Sequence, residues 1–250
     1  MIEVTSSGDV AILLMAHGKA NAMSIEFCRA LTGRLQELGT SAARAVVITG
    51  RGWIFSAGVD LPRLVDGGAP YVREFLPALS QMLATVFSYP KPVVAAINGH
   101  AIAGGCVLAC ACDKRVMGRD VGTIGVTELL VGVPFPAVAM EIMRSVAPPQ
   151  YFEDLIFGGA TCAPGEGIGR GLVDEVVDPA LLLDRAIAAA QSLAALSPPA
   201  FALTKRQTRQ PALERLREAS TVDAEVTKIW TAPETLDRVR DYVSRTFKKA

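Results

Sequence analysis

A run of six apolar residues, PVVAAI at 92–97, constrains the fold of this chain more than any other feature. A short, continuous apolar run is typical of a parallel strand that is covered on both faces, since neither face then meets water. Further strand-like segments occur along the chain: VAILLM at 10–15, AVVIT at 45–49, KRVMG at 114–118, GTIGV at 122–126 and LVDEVV at 172–177. These runs predict a largely buried sheet.

Helical patterns separate the strand-like segments. Ser24 can cap a helix that extends to about Leu38 and places its apolar residues on one face. Helical spacing also covers 70–88, 136–146 and 151–158. Because strand, loop and helix alternate along the chain, the sequence predicts an α/β fold with right-handed crossovers.

The composition changes near residue 179, where a helix-rich tail begins. With 250 residues, half of them hydrophobic, the chain can form one large domain with an appendage. We expect an α/β core over 1–190 that carries the active site, and a helical region over 191–250 that serves oligomerisation. Helices that cannot bury their apolar faces alone pack most simply on a neighbouring subunit, and the alternative is a fold-back onto the same core.

Charge and composition argue against several classes of partner. Lys plus Arg and Asp plus Glu number 25 each, and no dense basic run is interleaved with aromatic residues, so we expect no nucleic-acid partner. No apolar run reaches the ~20 residues of a membrane span, and the N-terminal segment lacks the pattern of a secretory leader. The five cysteines lie in apolar surroundings without a disulfide spacing. We therefore expect a cytoplasmic protein that binds no membrane.

The sequence lacks the common metal, nucleotide and nucleophile motifs. Cys110 and Cys112 lack the second ligand pair of a structural zinc site, and His17 and His100 form no HExxH motif, so we expect no metal. The segment GEGIGRG at 165–171 does not have the spacing of a dinucleotide-binding loop, and we interpret it as a turn between a helix and a strand. No phosphate-binding loop of the type G-x-x-x-x-G-K-[ST] and no nucleophile elbow of the type G-x-S-x-G is present.

Two glycine-containing loops follow predicted strands, at 51–61 and 98–110. Loops beyond the carboxyl ends of strands bind ligands in layered α/β proteins, and glycine lets a backbone come close to a ligand. Gly104 and Gly105 fall in the first turn of a predicted helix, where free amides favour negative charge. One amide from each loop could form an oxyanion hole, or the glycines could simply permit tight turns. The spacing leaves both interpretations open.

Several longer motifs resemble the crotonase family, also called the enoyl-CoA hydratase/isomerase family. They span nearly the whole chain in the family's order: GKANAM at 18–23, FSAGVDL at 55–61, KPVVAAINGHAIAGGC at 91–106, TELLVGVPFP at 127–136 and GLVDEVV at 171–177. The resemblance implies a ClpP-like spiral of β-β-α units with a helical C-terminal region that forms trimers or dimers of trimers. It also implies an acyl-CoA substrate, with no cofactor beyond the coenzyme A of that substrate.

The resemblance also implies roles for particular residues. The amides of Ala57 and Gly104 would hold the thioester oxygen. Hydratases of the family present two glutamates, and this chain has Val107 at one of these positions and Glu128 at the other. A single carboxyl group can carry a proton from C2 to C4 of a β,γ-unsaturated thioester, so we expect an enoyl-CoA isomerase. The alternatives are a hydratase, another reaction of the family such as decarboxylation or thioester hydrolysis, and a CoA-ester binding protein. Glu128 could also be merely a solvated loop carboxylate.

The remaining predicted contacts are with the coenzyme and the acyl group. By resemblance, coenzyme A would contact Lys19, Ala20, Gly58, Asp60 and Leu61. Leu64, Val107 and Phe135 would line the acyl pocket or simply belong to the core, and Gly105 is a further candidate for substrate binding. Lys248 is a weaker candidate for the phosphates, and GGAP at 67–70 suggests a mobile loop over the pocket. A rival hypothesis is acyl transfer by a thiol near an imidazole, Cys106 near His100.

Overall fold

A computed structural model of the chain describes residues 1–247. Its strands are β1 (Ile2–Ser7), β2 (Val10–Met15), β3 (Ala45–Gly50), β4 (Ile54–Ser56), β5 (Val93–Ile97), β6 (His100–Ile102), β7 (Lys114–Gly118), β8 (Ile124–Gly125), β9 (Thr161–Cys162) and β10 (Glu175–Val177). Its helices are α1 (Ile25–Gly39), α2 (Leu61–Phe87), α3 (Gly104–Ala111), α4 (Glu128–Val131), α5 (Ala137–Val146), α6 (Pro149–Gly158), α7 (Pro164–Gly169), α8 (Leu182–Ala194), α9 (Pro198–Arg217), α10 (Ser220–Trp230) and α11 (Pro233–Phe247).

A six-stranded sheet in the order β1-β2-β3-β5-β7-β10 forms the centre of the fold. Only β1 and β2 pair antiparallel, and the other neighbours are parallel. Alternate side chains of the strands face two apolar layers. Val47 and Val94 pack toward α8, while Ile48 and Ala95 belong to the larger core that contains α1 and α2. Burial of both faces is the reason for the continuous apolar run that the sequence shows at 92–97.

A second, four-stranded sheet has the order β4-β6-β8-β9. Its strands have only two or three residues each, and β4 and β6 lie within the segments that we predicted to be loops. Each of β3, β5 and β7 is thus followed by one short strand and then by a helix. This arrangement repeats a β-β-α unit three times and confirms the spiral of the crotonase fold.

Several predicted elements differ in extent from the observed ones. The helix predicted at 70–88 begins at Leu61, and GGAP at 67–70 lies inside it, so no loop is formed there. Gly68 has a φ of 57° and interrupts the helix, which glycine allows without strain. The segment at 165–171, interpreted as a turn, overlaps most of the short helix α7 (Pro164–Gly169). The strands predicted at 122–126 and 172–177 are shorter than expected.

The C-terminal helices fold back onto the core of the same chain. Ala212 of α9, Val226 and Trp230 of α10, and Val239 of α11 are all buried in the main core. The predicted boundary at residue 190 falls within α8, which covers the large sheet. Within residues 1–247, no single helix could cross a membrane. The segments Pro179–Ala194 and Pro198–Arg217 satisfy length and composition only as a pair, with a bend of 101°.

Candidate active site

A cavity of about 350 Å³ lies where the short strands meet α2, α3 and α4. Its volume is within the range of small-ligand pockets. Backbone from both glycine-containing segments reaches it, together with side chains from α4, α5, α10 and α11. The lining residues are Ala20, Ala22, Ala57, Val59, Asp60, Leu61, Pro62, Leu79, Leu83, Ile102, Ala103, Gly104, Val107, Thr127, Glu128, Val131, Val133, Pro136, Ala139, Trp230, Tyr242 and Thr246.

A bridge between Met23 and Val59 fixes the backbone on one side of the cavity. The amide of Met23 donates to the carbonyl of Gly58 at 2.7 Å, and the amide of Asp60 donates to the carbonyl of Met23 at 3.0 Å. In this parallel pairing the N–H of Val59 itself points away from Met23. No acceptor for that N–H is found among residues 1–247. A free donor therefore lies at the cavity.

The amide of Ala57 is occupied, contrary to the prediction from sequence. It donates to the carbonyl of Ala20 at 3.0 Å, so it is not free to hold a substrate oxygen. The prediction of a free amide at Ala57 was wrong because the direction of each amide depends on the bridge between Met23 and Val59, which no local motif shows. Along the chain, the first amide after Ala57 that has no acceptor among the described residues is that of Val59.

The N-terminus of α3 supplies a second free amide. Gly104 is the first residue of this helix, and its N–H finds no acceptor in the described part of the chain. The glycines are required by close packing, since a Cβ on Gly105 would lie 2.2 Å from the carbonyl oxygen of Ser56. A Cβ on Gly58, whose φ is 84°, would lie 3.1 Å from the nitrogen of Gly104. Both glycine-containing segments thus bring bare backbone to one place.

Glu128 is a buried carboxyl group and not a solvated loop residue. It is the first residue of α4, lines the cavity and is 9% exposed. Its Oε2 is buried without a hydrogen-bond partner in the described structure. Burial raises the pKa of the Glu128 carboxyl to about 7, although the amides of Glu128 and Thr127 act in the opposite direction. Such a group can exchange a proton near neutral pH.

The other walls of the cavity offer little acid–base chemistry. Val107 on α3 is fully buried and has no titratable proton. The second carboxylate in the lining, Asp60, is the N-cap of α2 and accepts from the amide of Arg63 at 3.1 Å. Glu128 is therefore the only buried carboxyl group among the lining residues.

The predicted contact residues divide into two groups. Ala20, Asp60, Leu61 and Val107 line the cavity, as do the predicted oxyanion residues Ala57 and Gly104. Lys19 is exposed outside the lining, Leu64 and Phe135 are buried core residues, and Gly58 and Gly105 pack closely against other backbone without being part of the lining. Lys248 lies outside the described residues.

The sequence did not predict the cavity-lining residues that come from distant helices. Leu79 and Leu83 of α2 line the cavity, and their spacing of four residues is a helical signal that could have found them. Trp230, Tyr242 and Thr246 reach it from α10 and α11. Tyr242 and Thr246 also lie four residues apart on one face of their helix, but nothing in the sequence indicates which element that face meets.

The rival pair of Cys106 and His100 is not assembled into a site. His100 is exposed, and its Nδ1 lies 3.2 Å from the hydroxyl of Thr123. Cys106 is fully buried outside the lining, and a hydrogen bond with Cys110, together with burial, raises its thiol pKa well above the usual range. A thiol in this state is a poor nucleophile. Within residues 1–247 no group of three His, Cys, Asp or Glu side chains could hold a metal ion.

Comparisons with known proteins agree with this architecture. The family model "Enoyl-CoA hydratase/isomerase" matches residues 5–240. A protein of Thermus thermophilus named "Putative enoyl-CoA hydratase" is 34% identical over 209 residues, which cover 82% of each chain. The structure of human mitochondrial delta3-delta2-enoyl-CoA isomerase is similar with a TM-score of 0.93 at 25% identity, covering 99% of this chain and 98% of that one.

A probable enoyl-CoA hydratase of Mycobacterium tuberculosis has a similar structure, with a TM-score of 0.84 at 30% identity, covering 91% of this chain and 97% of that one. Similar proteins thus carry both hydratase and isomerase names. The family match covers most of the chain, and the β-β-α spiral agrees with it. The chain belongs to the enoyl-CoA hydratase/isomerase family, the crotonase family.

Proposed function

We propose that the protein is an enoyl-CoA isomerase, which moves the double bond of an acyl-CoA thioester from the β,γ to the α,β position. The observation that carries the proposal is that the cavity is lined by a single buried carboxyl group. One buried carboxyl group, that of Glu128, lines it together with Val107. By the resemblance to the family, Val107 occupies the position where hydratases have a second glutamate.

The amides of Val59 and Gly104 would polarise the thioester carbonyl. Both lie at the cavity and neither has an acceptor among the described residues. Amides that are already oriented stabilise an oxygen as it gains negative charge, without the cost of reorganising solvent. The first turn of α3 adds the favourable end of a helix dipole at Gly104.

Glu128 would carry the proton in two steps. Its carboxylate takes a proton from C2, the C2–H bond breaks, and the electron pair moves to the thioester oxygen to give a dienolate. The resulting carboxylic acid then protonates C4, the C2–C3 double bond forms, and the carboxylate is restored. No group other than this carboxyl needs to titrate. No cofactor is needed beyond the coenzyme A of the substrate.

Hydration of an α,β-enoyl-CoA is the second candidate reaction. The names of the Thermus thermophilus and Mycobacterium tuberculosis relatives favour it. Hydration needs one group to activate water and one to protonate the α-carbon, and Val107 can do neither. A protein that only binds CoA esters is the third candidate, and the free amides with a buried, titratable Glu128 argue for catalysis instead.

We also propose that the protein is cytoplasmic and forms a trimer or a dimer of trimers. Sedimentation would test the oligomeric state.

The three candidates are separated by incubating the protein with a β,γ-enoyl-CoA and with an α,β-enoyl-CoA. Isomerisation produces 2-enoyl absorbance from the first substrate, hydration removes it from the second, and a passive binder does neither. In D2O, retention of the substrate's own hydrogen at C4 would add evidence for the shuttle. We expect Glu128→Gln to abolish isomerisation while acyl-CoA still binds.

A matched control is Glu153→Gln, the same substitution at an exposed residue of α6. It should leave isomerisation unchanged. Full isomerisation by Glu128→Gln would overturn the proposal, and so would a wild-type protein that hydrates the α,β-enoyl-CoA but leaves the β,γ isomer untouched.

A further inference from the structure

The exposure of the lining residues divides the cavity into a solvent-exposed part, its open end, and a buried, apolar part, its closed end. Ala57, Pro62 and Thr246 line it and are exposed, so they mark the opening. The most deeply buried lining side chains are 0–4% exposed and include Leu79, Leu83, Val107, Val133, Ala139 and Trp230. An acyl chain that enters at the opening must extend toward this group, because the cavity offers it no other apolar surface of this depth.

Trp230 is the bulkiest side chain at the closed end, and it is held in place. Its exposed fraction is 2%, and its Nε1–H donates to the carbonyl of Pro134 at 2.8 Å. The helix that carries it, α10, is tied to the same part of the chain near its other end, where Asp223 accepts from the amide of Ala137 at 3.0 Å. One hydrogen bond therefore holds the indole, and a second holds its helix, against the segment that supplies Val133, Pro136 and Ala139 to the cavity.

We propose that Trp230 is a specificity-determining residue, which ends the acyl pocket and sets the longest acyl chain that the protein accepts. This inference rests on the proposed function in one respect, namely that the ligand is an acyl-CoA whose acyl chain occupies the cavity. A side chain that is held by hydrogen bonding and close packing sets a sharp limit on acyl chain length, because it cannot change its rotamer to admit a longer chain.

The same geometry specifies the chemistry of the acyl tail. The buried side chains at the closed end are apolar, and the one polar group among them, the indole N–H, is already used by Pro134. A hydroxyl or carboxyl group at the far end of the acyl chain would lose its hydrogen bonds to water and gain none from these side chains. The pocket therefore suits an unsubstituted hydrocarbon tail.

Saturated acyl-CoAs of increasing chain length test the limit by titration calorimetry, since they bind without being isomerised. In the wild-type protein, affinity should rise with each added CH2 by about fourfold until the chain meets Trp230, and then fall. In Trp230→Ala this maximum should shift to longer chains. The affinity for these longer chains should exceed that for shorter chains by at least about tenfold. Trp53→Ala is the matched control, because Trp53 is 81% exposed and outside the cavity lining.

Two further variants keep the test decisive if Trp230→Ala does not fold. Trp230→Phe keeps an aromatic ring but loses bulk, and it should move the maximum to longer chains by a smaller step. Ala139→Leu adds bulk at the closed end and should move it to shorter chains. A chain-length profile that none of these variants moves would overturn the inference, while the isomerase proposal would stand. A wild-type protein that binds no acyl-CoA would overturn both.

Discussion

Gly58 lies directly against the N-terminus of α3, so that a Cβ on Gly58 would lie 3.1 Å from the amide nitrogen of Gly104. The same Cβ would lie 2.9 Å from the carbonyl oxygen of Ile102. These neighbours are backbone atoms, which cannot rotate away as the end of a side chain can. The two amides proposed to hold the thioester oxygen, those of Val59 and Gly104, therefore depend on a glycine between them.

Gly58→Ala should disable the site while the fold survives. The added methyl group would push Gly104 away from Val59, and the φ of 84° at Gly58 would add backbone strain. We expect kcat for isomerisation to fall by about 10²- to 10³-fold, the usual cost of losing one oxyanion donor. Steady-state kinetics on a β,γ-enoyl-CoA would measure this.

The control for this prediction is Gly33→Ala in α1, where a Cβ would meet no atom within 4 Å. Alanine is the better helix former, so this variant should keep full activity and gain about 0.5–1 kcal/mol in stability. Equal activity of the Gly58 and Gly33 variants would contradict the role of the two amides.

The activity should depend on pH through Glu128. The carboxyl must be ionised to accept a proton from C2, and burial raises its pKa to about 7 from an ordinary value of 4.5. We therefore expect kcat/KM to be low in acid, to rise with pH and to level off above about pH 7. Because kcat/KM reports the free protein, rates measured at low substrate concentration check this directly. A profile that is already level at pH 5 would contradict it.

A buried ion cluster holds the end of α3 to α9. Asp113 accepts from Lys205 Nζ at 2.7 Å and from Arg209 Nη2 at 2.8 Å, and it also accepts from the amide of Val93 at 2.8 Å. Asp113→Asn would leave two buried cations without their counter-charge. We expect a loss of about 3–5 kcal/mol of unfolding free energy, measured by urea denaturation.

Asp154→Asn is the comparison for this cluster. Asp154 also pairs with an arginine, Arg170, at 2.9 Å, but its side chain is 66% exposed. An exposed pair contributes at most about 1 kcal/mol. Similar losses of unfolding free energy from the two substitutions would show that burial does not determine how much the Asp113 cluster contributes to stability.

The sequence predicted the parts of the fold that depend on long or periodic patterns. The apolar run at 92–97 identified β5, and Ser24 correctly marked the start of α1, since both signals lie in neighbouring residues. The strands β4 and β6 were missed because three residues are too few to show a period of two.

The active site was predictable only in part. The motifs identified Gly104, Val107 and Glu128, which line the cavity. They did not show that Ala57 donates to Ala20, because amide direction is set by the tertiary bridge between Met23 and Val59. Nor could they show that Trp230 closes the cavity, since the packing of α10 depends on contacts with Pro134 and other distant residues.

Residue 107 occupies the position that separates the two proposed reactions. Val107→Glu would place a second carboxyl group in the cavity with Glu128. Two close carboxyl groups resist double ionisation, so one of them retains a proton while the other is a base. This is the combination that hydration needs, one group to activate water and one to protonate the α-carbon.

We expect Val107→Glu to hydrate an α,β-enoyl-CoA at least about 10²-fold faster than the wild-type protein, the lower range for a positioned acid or base. Val107→Gln has nearly the same shape but no titratable proton, so it should show no such gain. The loss of 2-enoyl absorbance measures the rate, and the thermal midpoint of each variant reports whether the fold is kept. If both variants fold and hydrate equally, the side chain at position 107 does not decide between the reactions, and the isomerase proposal loses its main support.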